Sequence, residues 1–392
     1  MSNTQKKNVP ELRFPGFEGE WEEKKLESII KVNSGKDYKH LDKGDIPVYG
    51  TGGYMTSVSE PLSEIDAVGI GRKGTINKPY LLEAPFWTVY TLFYCTPKKE
   101  TDILFILSLF RKINWKVYDE STGVPSLSKQ TINKINRFVP TNKEQQKIGK
   151  FFSKLDRQIE LEEQKLELLQ QQKKGYMQKI FSQELRFKDE NGNDYPEWEN
   201  VMLQKVLKDK TEGIKRGPFG GALKKDIFVE SGYAVYEQRN AIYDISNFRY
   251  YINENKYKEM QSFSVQPNDI IMSCSGTIGR LALIPQNYTK GIINQALIRF
   301  RTNHKIRSEF FLIFMRSNQM QRKILEANPG SAITNLVPVK ELKLIPFPLP
   351  VKFEQDKISQ FILIINRRIE QSEKKIESLK NRKQGFLQKL FV

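Results

Sequence analysis

The sequence predicts an α+β protein of two globules, separated and followed by two long helices that pair with each other inside the chain as an antiparallel coiled coil with pseudo-two-fold symmetry. Three observations lead there. Residues 144–181 and 354–391 align at a constant offset of 210, with about 17 of the 38 aligned positions identical, among them Glu144/Glu354, Gln145/Gln355, Ile159/Ile369 and Gly175/Gly385. Each copy has helical spacing and follows a longer segment rich in Gly, aromatics and Lys, so the chain reads globule, helix, globule, helix. At 392 residues it is too long for one compact core and fits two domains. The expected boundaries are 1–140, 141–182, 183–350 and 351–392.

In chain order, the first globule opens on Glu11-Leu12-Arg13-Phe14 leading to Trp21, which recurs as Glu184-Leu185-Arg186-Phe187 leading to Trp198. Gly74-Thr75-Ile76 recurs as Gly276-Thr277-Ile278. Short aromatic and β-branched runs bounded by Gly and Pro, such as Pro85 to Tyr94 and Gly291 to Phe300, predict strands. Asp102 to Val117 and Ser308 to Leu325 predict one apolar helix per globule, followed by Thr122-Gly123-Val124-Pro125 and Pro329-Gly330-Ser331 loops. Strands and helices in this mixture give α+β domains. Trp21 and Trp198 read as core.

Stepping four then three from Ile148 gives Phe152, Leu155, Ile159, Glu162, Leu166, Leu169, Lys173, Tyr176 and Ile180. The second copy gives Ile358, Ile362, Ile365, Ile369, Ser372, Ile376, Leu379, Lys383, Phe386 and Leu390, with its polar breaks at the same two places. A 3,4 apolar repeat is a coiled-coil seam that needs a partner, and the simplest partner for each copy is the other. Thr141 and Glu144 match a capping box at the first helix start. Gly175 and Gly385 are expected to end or kink each helix near its last turn. At about 1.5 Å per residue, an unbroken helix of this size is long enough to act as a ruler.

The formal charge of +17 argues for an acidic partner, most commonly nucleic acid. Cys95 and Cys274 stand far apart and the two histidines are His40 and His304, so a zinc site is hard to assemble and a reducing cytoplasm is the natural setting. Met1 to Asn8 lacks an apolar h-region, and Ile103 to Phe110 and Phe361 to Ile365 are too short to span a bilayer. A soluble, unexported protein with no membrane partner is expected. There is no phosphate-binding Gly-x-x-x-x-Gly-Lys-Ser/Thr loop and no nuclease carboxylate cluster.

With these features together, the chain resembles the specificity subunits of type I restriction-modification systems. The residues that carry the resemblance are Glu144-Gln145-Gln146-Lys147-Ile148 and Glu354-Gln355-Asp356-Lys357-Ile358 opening the helices, Lys174-Gly175-Tyr176-Met177-Gln178-Lys179-Ile180-Phe181 and Gly385-Phe386-Leu387-Gln388-Lys389-Leu390-Phe391 closing them, Gly217-Pro218-Phe219-Gly220, and the Gly-Thr-Ile repeats. The resemblance implies that the globules are two target recognition domains, each reading half of a bipartite, asymmetric site in double-stranded DNA. It implies that the helices are a spacer docking two modification (methyltransferase) subunits, with two restriction (motor and nuclease) subunits where a nuclease accompanies them. The chain itself would be non-catalytic and bind no cofactor or metal. S-adenosylmethionine, and ATP with Mg for a nuclease, belong on the partners. Asn77-Lys78-Pro79-Tyr80 approaches the Asn-Pro-Pro-Tyr motif of adenine methyltransferases but has Lys for the first Pro, and Gly50-Thr51-Gly52-Gly53 lacks the context of a nucleotide loop. A methyltransferase acting alone and a coiled-coil scaffold without DNA are the alternatives.

Phosphates are contacted by Lys, Arg, Ser, Thr and backbone N–H groups, and base edges by Arg, Lys, Asn and Gln. Loops dense in these, with Gly allowing close approach, supply the candidates. In the first globule they are Ser34, Lys36, Tyr38, Lys39, His40, Lys43, Tyr49, Thr51, Arg72, Lys73 and Thr75. In the second they are Lys215, Arg216, Phe219, Lys224, Lys225, Arg239, Asn240, Ser273, Ser275, Thr277 and Arg280.

Overall fold

In the computed structural model, which describes residues 8–219, 221–326 and 338–392, the 3,4 repeats form helices Asn142–Phe181 and Lys352–Lys389. The Pro329-Gly330-Ser331 loop, Gly220 and the first seven residues lie outside the described residues. Both helices run through their glycine, against expectation: a Cβ at Gly175 or Gly385 would meet nothing within 4 Å, so no packing constraint forces a break there. The Glu144 side chain, expected in a capping box, is bonded to Arg13, which donates to both of its carboxylate oxygens at 2.8 Å each.

The chain divides into two compact units, Met1–Leu166 with Gln371–Val392, and Glu167–Glu370, so each is a globule plus part of both long helices. In unit 1 the strands are β1 (Glu22–Lys25), β2 (Ile30–Ser34), β3 (Ile46–Gly50), β4 (Gly53–Val58), β5 (Ala67–Gly71), β6 (Tyr80–Leu82), β7 (Trp87–Thr88), β8 (Leu92–Pro97) and β9 (Asn136–Val139). They form an antiparallel sheet in the order β2-β8-β5-β6, a smaller sheet β4-β3-β7 whose β3–β7 pair is parallel, and the ribbon β1-β9. In unit 2 the strands are β10 (Glu199–Met202), β11 (Ile214–Arg216), β12 (Phe228–Val229), β13 (Tyr233–Tyr236), β14 (Tyr251–Ile252), β15 (Ile270–Ser273), β16 (Leu281–Leu283), β17 (Gly291–Ile293), β18 (Leu297–Phe300) and β19 (Pro346–Leu349). Their orders are β11-β18-β15-β16, β12-β14-β13-β17 with β13–β17 parallel, and β10-β19. The globules therefore share the order of the large sheet and the parallel and antiparallel pairs of the small one, to which unit 2 adds the edge strand β12.

The predicted strand Pro85 to Tyr94 is in fact the end of one sheet and the start of another. The chain leaves the small sheet at Thr88 and enters the large one at Leu92, just as it leaves at Ile293 and enters at Leu297 in unit 2. Residues 89–91 and 294–296 are the two crossings. The apolar helices are also shorter than predicted. Ile103–Lys112 is followed by a single turn at Trp115–Tyr118, and Ser308–Met315 gives way to a second helix, Asn318–Glu326, where the buried Ser317 hydroxyl accepts from Met320 N at 3.2 Å.

Each apolar helix packs between the large sheet and the long helices. Phe105, Ile106, Leu109 and Phe110 join Val68, Ile70 and Phe93 to Ile148, Phe152, Leu155, Leu387 and Phe391 in one core. Phe310, Phe311 and Phe314 join Met272, Ile298 and Phe300 to Ile180, Ile358 and Ile362 in the other. Trp21 is core in unit 1, and Trp198 packs at the edge of the core in unit 2.

The long helices pair antiparallel within each unit. In unit 1, Asp156 bonds Lys383 and Glu162 bonds Ser372 and Lys375, both at 2.7 Å, so numbers rise on one helix as they fall on the other. In unit 2, Tyr176 meets Phe361 with ring centroids 5.0 Å apart. Of the seam positions, Ile148, Phe152, Leu155, Ile159, Ile358, Ile362, Ile365, Ile376 and Leu379 are buried, while Leu166, Leu169 and Ile369 are half-buried. The polar breaks are satisfied: Glu162 and Ser372, equivalent positions of the repeat, face each other.

The Lys375 ammonium, the Ser372 hydroxyl and Lys165 hold the Glu162 carboxyl down at about 2. A depressed carboxylate stabilises the fold above its unfolded value of about 4.3, and that contribution is lost as the pH falls through the folded value. Glu162→Gln is therefore expected to lower stability at neutral pH and to flatten its acid dependence between about 4.3 and about 2, read as denaturant midpoints across that range. At the helix heads, Arg13→Ala leaves Glu144 charged and buried and is expected to cost about 3–5 kcal/mol in denaturant unfolding. Arg186→Ala is expected to cost less, because Trp198 still donates to Glu354 at 2.8 Å.

Candidate nucleic-acid interface

In unit 1 the crossing at 89–91 gathers the ends of three strands. At the end of β2, Gly35 runs so close beneath the crossing that a Cβ would lie 2.1 Å from Val89 O. Lys36 N then donates to Thr88 O at 2.8 Å, and Trp87 Nε1 to Lys36 O at 3.0 Å. At the end of β5, Arg72 N and Lys73 N donate to Thr91 O at 2.8 and 3.2 Å, and Gly74 turns the chain with a φ of 89° that only glycine adopts readily. The β3–β4 turn is fixed from below by the Tyr80 hydroxyl donating to Gly50 O at 2.6 Å and by Val89 N donating to Tyr49 O at 3.0 Å. Burial pushes the Tyr80 phenol up, so it stays a neutral donor. Lys36, Thr51, Arg72, Lys73 and Thr75 are thereby brought to one rim, with Ser34 and Tyr49 half-buried beneath.

Unit 2 builds the same rim from other residues. Gly217 ends β11 with its Cβ position 1.8 Å from Asn294 O, and its N–H donates to Leu297 O at 2.9 Å. Cys274 N donates to Ala296 O at 2.9 Å, and Gly276 turns the chain with a φ of 60°. Gln238 Nε2 donates to Ser275 O at 2.6 Å, which ties the segment after β13 to that turn. Arg216 lies over the ring of Phe219, itself 80% exposed, and beside the buried Cys274 thiol. Arg239 shares a cavity with Gln238, Tyr243, Asn294 and Ala296. Arg216, Phe219, Arg239, Ser275 and Thr277 form this rim, and Arg280 closes its turn by donating from its backbone N to Ser273 Oγ at 3.0 Å.

Several candidates fall elsewhere. Asn240 is buried, with its amide on Ile245 O and Asn247 O and its oxygen on Glu237 N; Ser273 is fully buried on Thr277 O. Both are internal hydrogen-bonding groups. Lys43 belongs to a segment held against the far end of the β3–β4 hairpin, where Ser59 N donates to Asp42 O, so strand length carries it away from the rim. On the same loop Tyr38 packs into the small sheet's core, His40 sits edge-on to Trp87 at 5.9 Å, and Lys39 is exposed. Lys215 points across the sheet to Phe263, 5.0 Å away. Lys224 and Lys225 are exposed on a turn whose Ala222, Leu223 and Ile227 pack over the small sheet of unit 2.

The crossings also present residues that sequence reasoning missed, Tyr90, 62% exposed, and Gln295, and Gln238 stands beside the second crossing. Tyr90 was hidden inside an apolar run read as one strand. Tyr80, of the Asn77-Lys78-Pro79-Tyr80 segment, is a prop for the β3–β4 turn, and Gly50-Thr51-Gly52-Gly53 is that turn. Among the described residues no cluster of His, Cys, Asp and Glu could hold a metal, and no helix is long and apolar enough to cross a membrane.

A duplicated α+β frame that turns basic and hydroxyl-bearing loops outward at matching places has the make-up of a nucleic-acid-binding protein. The family model for the type I restriction modification DNA specificity domain matches residues 18–171 and 219–381, and the chain belongs to that family. It stands thereby with the specificity components, which are non-catalytic. Similar curated proteins include the putative type I restriction enzyme MjaX specificity subunit of Methanocaldococcus jannaschii, 25% identical over 74% of this chain and 67% of that protein. The type I restriction enzyme MjaVIII specificity subunit of the same organism is 24% identical over 71% and 66%. The chain thus spans about two thirds of the length of each. Among solved structures, the type I restriction-modification system S subunit from M. genitalium superposes with a TM-score of 0.65 at 15% identity, covering 98% of this chain and 99% of that one. A structure described as the basis of complex assembly and conformational transition of the type I R-M system gives 0.57 at 14% identity, covering 97% and 99%. These two likenesses concern the fold.

The rims make a separable prediction. Arg72→Ala and Arg216→Ala are each expected to weaken DNA binding and to lower the salt slope by up to about 0.9, one phosphate's share, while costing no more than about 0.5–1 kcal/mol of stability with the loss of the cation–π contacts to Phe93 and Phe219. Asn240→Ala should instead cost about 1–3 kcal/mol of stability by orphaning its buried partners. Anisotropy titrations at several salt concentrations, run beside denaturant unfolding, separate the two classes.

Proposed function

We propose that the chain is the DNA-reading component of a type I restriction-modification complex, in which each unit reads one half of a bipartite site in double-stranded DNA. The observation that carries this is the rim built twice on one backbone plan with unlike side chains. Lys36, Thr51, Arg72, Lys73 and Tyr90 line one rim; Arg216, Phe219, Gln238, Arg239 and Thr277 line the other. Equal frames make equal approaches to a duplex, and unlike side chains select unlike bases, so the two half-sites differ. The paired helices, which carry segments of both units, would set the gap between half-sites and offer surfaces to two modification subunits and, where present, two restriction subunits. On this reading adenine methylation or cleavage is the partners' chemistry, with S-adenosylmethionine, ATP and Mg bound there.

The test is to co-express the chain with its neighbouring candidate methyltransferase subunit in a methylation-free host and map modified adenines across the genome. A two-part asymmetric motif with a fixed gap, absent when this chain is omitted, is the expected result. Substituting Arg216 and Gln238 should then degrade one half of the motif only. A stable complex that leaves every adenine unmodified, or a motif with identical halves, would overturn the reading.

A further inference from the structure

The long-helix repeat carries a charge difference that the seam does not need. In unit 1, Asp156 takes both Arg111, at the end of the apolar helix, and Lys383, a polar break of the seam. The equivalent positions in unit 2 are Asn366, Arg316 and Lys173: both cations are retained and the acid is replaced by an amide. Lys173, Arg316 and Asn366 do line one cavity. Arg316 turns instead to Asp244 at 3.0 Å and to Leu281 O at 2.5 Å, while Lys173, half-buried, has no ion pair among the described residues. Burial and the Arg316 guanidinium pull the Lys173 ammonium below the usual lysine range.

This pair stands between two cavities of unlike character. On one side are Asp244, Glu309, Asp356 and Glu370, of which Asp244 is taken by Arg316 and Asp356 by Arg307 at 2.8 Å. On the other is a cleft of about 910 Å³ lined by Lys173, Lys174, Arg316, Arg322 and Lys323, with Gln, Ser and Asn side chains between them, an apolar floor of Met177, Phe181 and Ile369, and no carboxylate. Cations with hydroxyl and amide donors are the group that engages backbone phosphates. The cleft is also tied to the rim of its own unit. Helix Asn318–Glu326, which bears Arg322 and Lys323, is bonded through Gln321 Nε2 to Gly279 O at 3.0 Å, in the turn that carries Ser275 and Thr277.

We propose that this cleft is a phosphate site, where Lys173 with Arg322 and Lys323 holds a backbone phosphate of the duplex whose bases face the unit 2 rim. It rests on the DNA-reading function proposed above and adds a contact that positions the DNA without reading sequence. In unit 1 the counterpart of Lys173, Lys383, is already held by a carboxylate, because Asp156 pairs with both equivalent cations.

The decisive variants are Asn366→Asp, which restores the acid that unit 1 possesses, and Lys173→Gln. Both are made in the assembled complex with its modification subunits and titrated with duplex bearing the mapped site at several salt concentrations. Each is expected to lower the slope of log Kobs against log[salt] by about 0.9, the share of one phosphate, and to weaken low-salt binding. The methylated motif, the subunit stoichiometry and the thermal midpoint should not change. An unchanged slope in both variants overturns the proposal. So does loss of modification subunits with normal DNA affinity in what remains assembled, which would assign the cleft to an acidic protein segment. If the wild-type complex shows no sequence preference while both variants still lose slope, the phosphate site stands and the reading of half-sites falls.

Discussion

A carboxylate removed from water at the head of each long helix is the contact on which either unit depends. Glu144 is 1% exposed and Glu354 fully buried, and a carboxylate in such a place is costly unless paired and hydrogen-bonded. Arg13 and Arg186 provide the pairing, and each also donates to carbonyls of the loop that leads into Trp21 or Trp198: Glu18 O and Gly19 O in one case, Pro196 O in the other. The next residue completes the attachment. Gln145 accepts from Asp102 N and donates to Pro140 O; Gln355 accepts from Arg307 N and donates to Lys305 O and Pro350 O. A pair of side chains thus fixes the N-terminal segment, the apolar helix and the long helix against one another, and the sheets that carry the rim pack on that frame.

The frame also explains which parts of the protein could be read from the chain. The 3,4 seam was legible because burial at Ile148, Phe152, Ile358 and Ile362 constrains residue type at every turn. The Glu-Leu-Arg-Phe and Glu-Gln repeats were visible as repeats, but their meaning was not. Arg13 and Glu144 are far apart in sequence, and only the fold brings them to 2.8 Å. The apolar helices were overextended because composition stays apolar through Trp115 and Met320, while the breaks depend on single polar groups such as Ser317.

The rim was half legible for a related reason. Lys, Arg, Gly and Thr in loops pointed to Arg72 and Thr277, but loop membership does not give direction. Asn240 was drawn inward to serve Glu237 N, and Lys43 lies at the end of a hairpin away from the rim. The crossings themselves were invisible, since a run such as Trp87 to Tyr94 has strand composition throughout, and the change from parallel pairing with β3 to antiparallel pairing with β2 and β5 is a property of partners. Gly35 and Gly217 mark the spots most sharply, because the backbone passes there too close for any side chain.

The meeting of Glu162 with Ser372 bears on which molecules this chain will accept as its own. In an antiparallel pair made from two copies of one repeat, a position at the centre of the pairing faces its own equivalent. Were two helices of the first copy to associate, Glu162 would confront Glu162 at the seam, two like charges that keep only the Lys165 of their own helix and lose the Lys375 and Ser372 of the second copy. Two helices of the second copy would set serine against serine, without the bond that Glu162 now accepts from Ser372. The mixed pair alone satisfies both partners, so divergence at one site of a duplication favours closure within a single polypeptide over exchange of halves between neighbours.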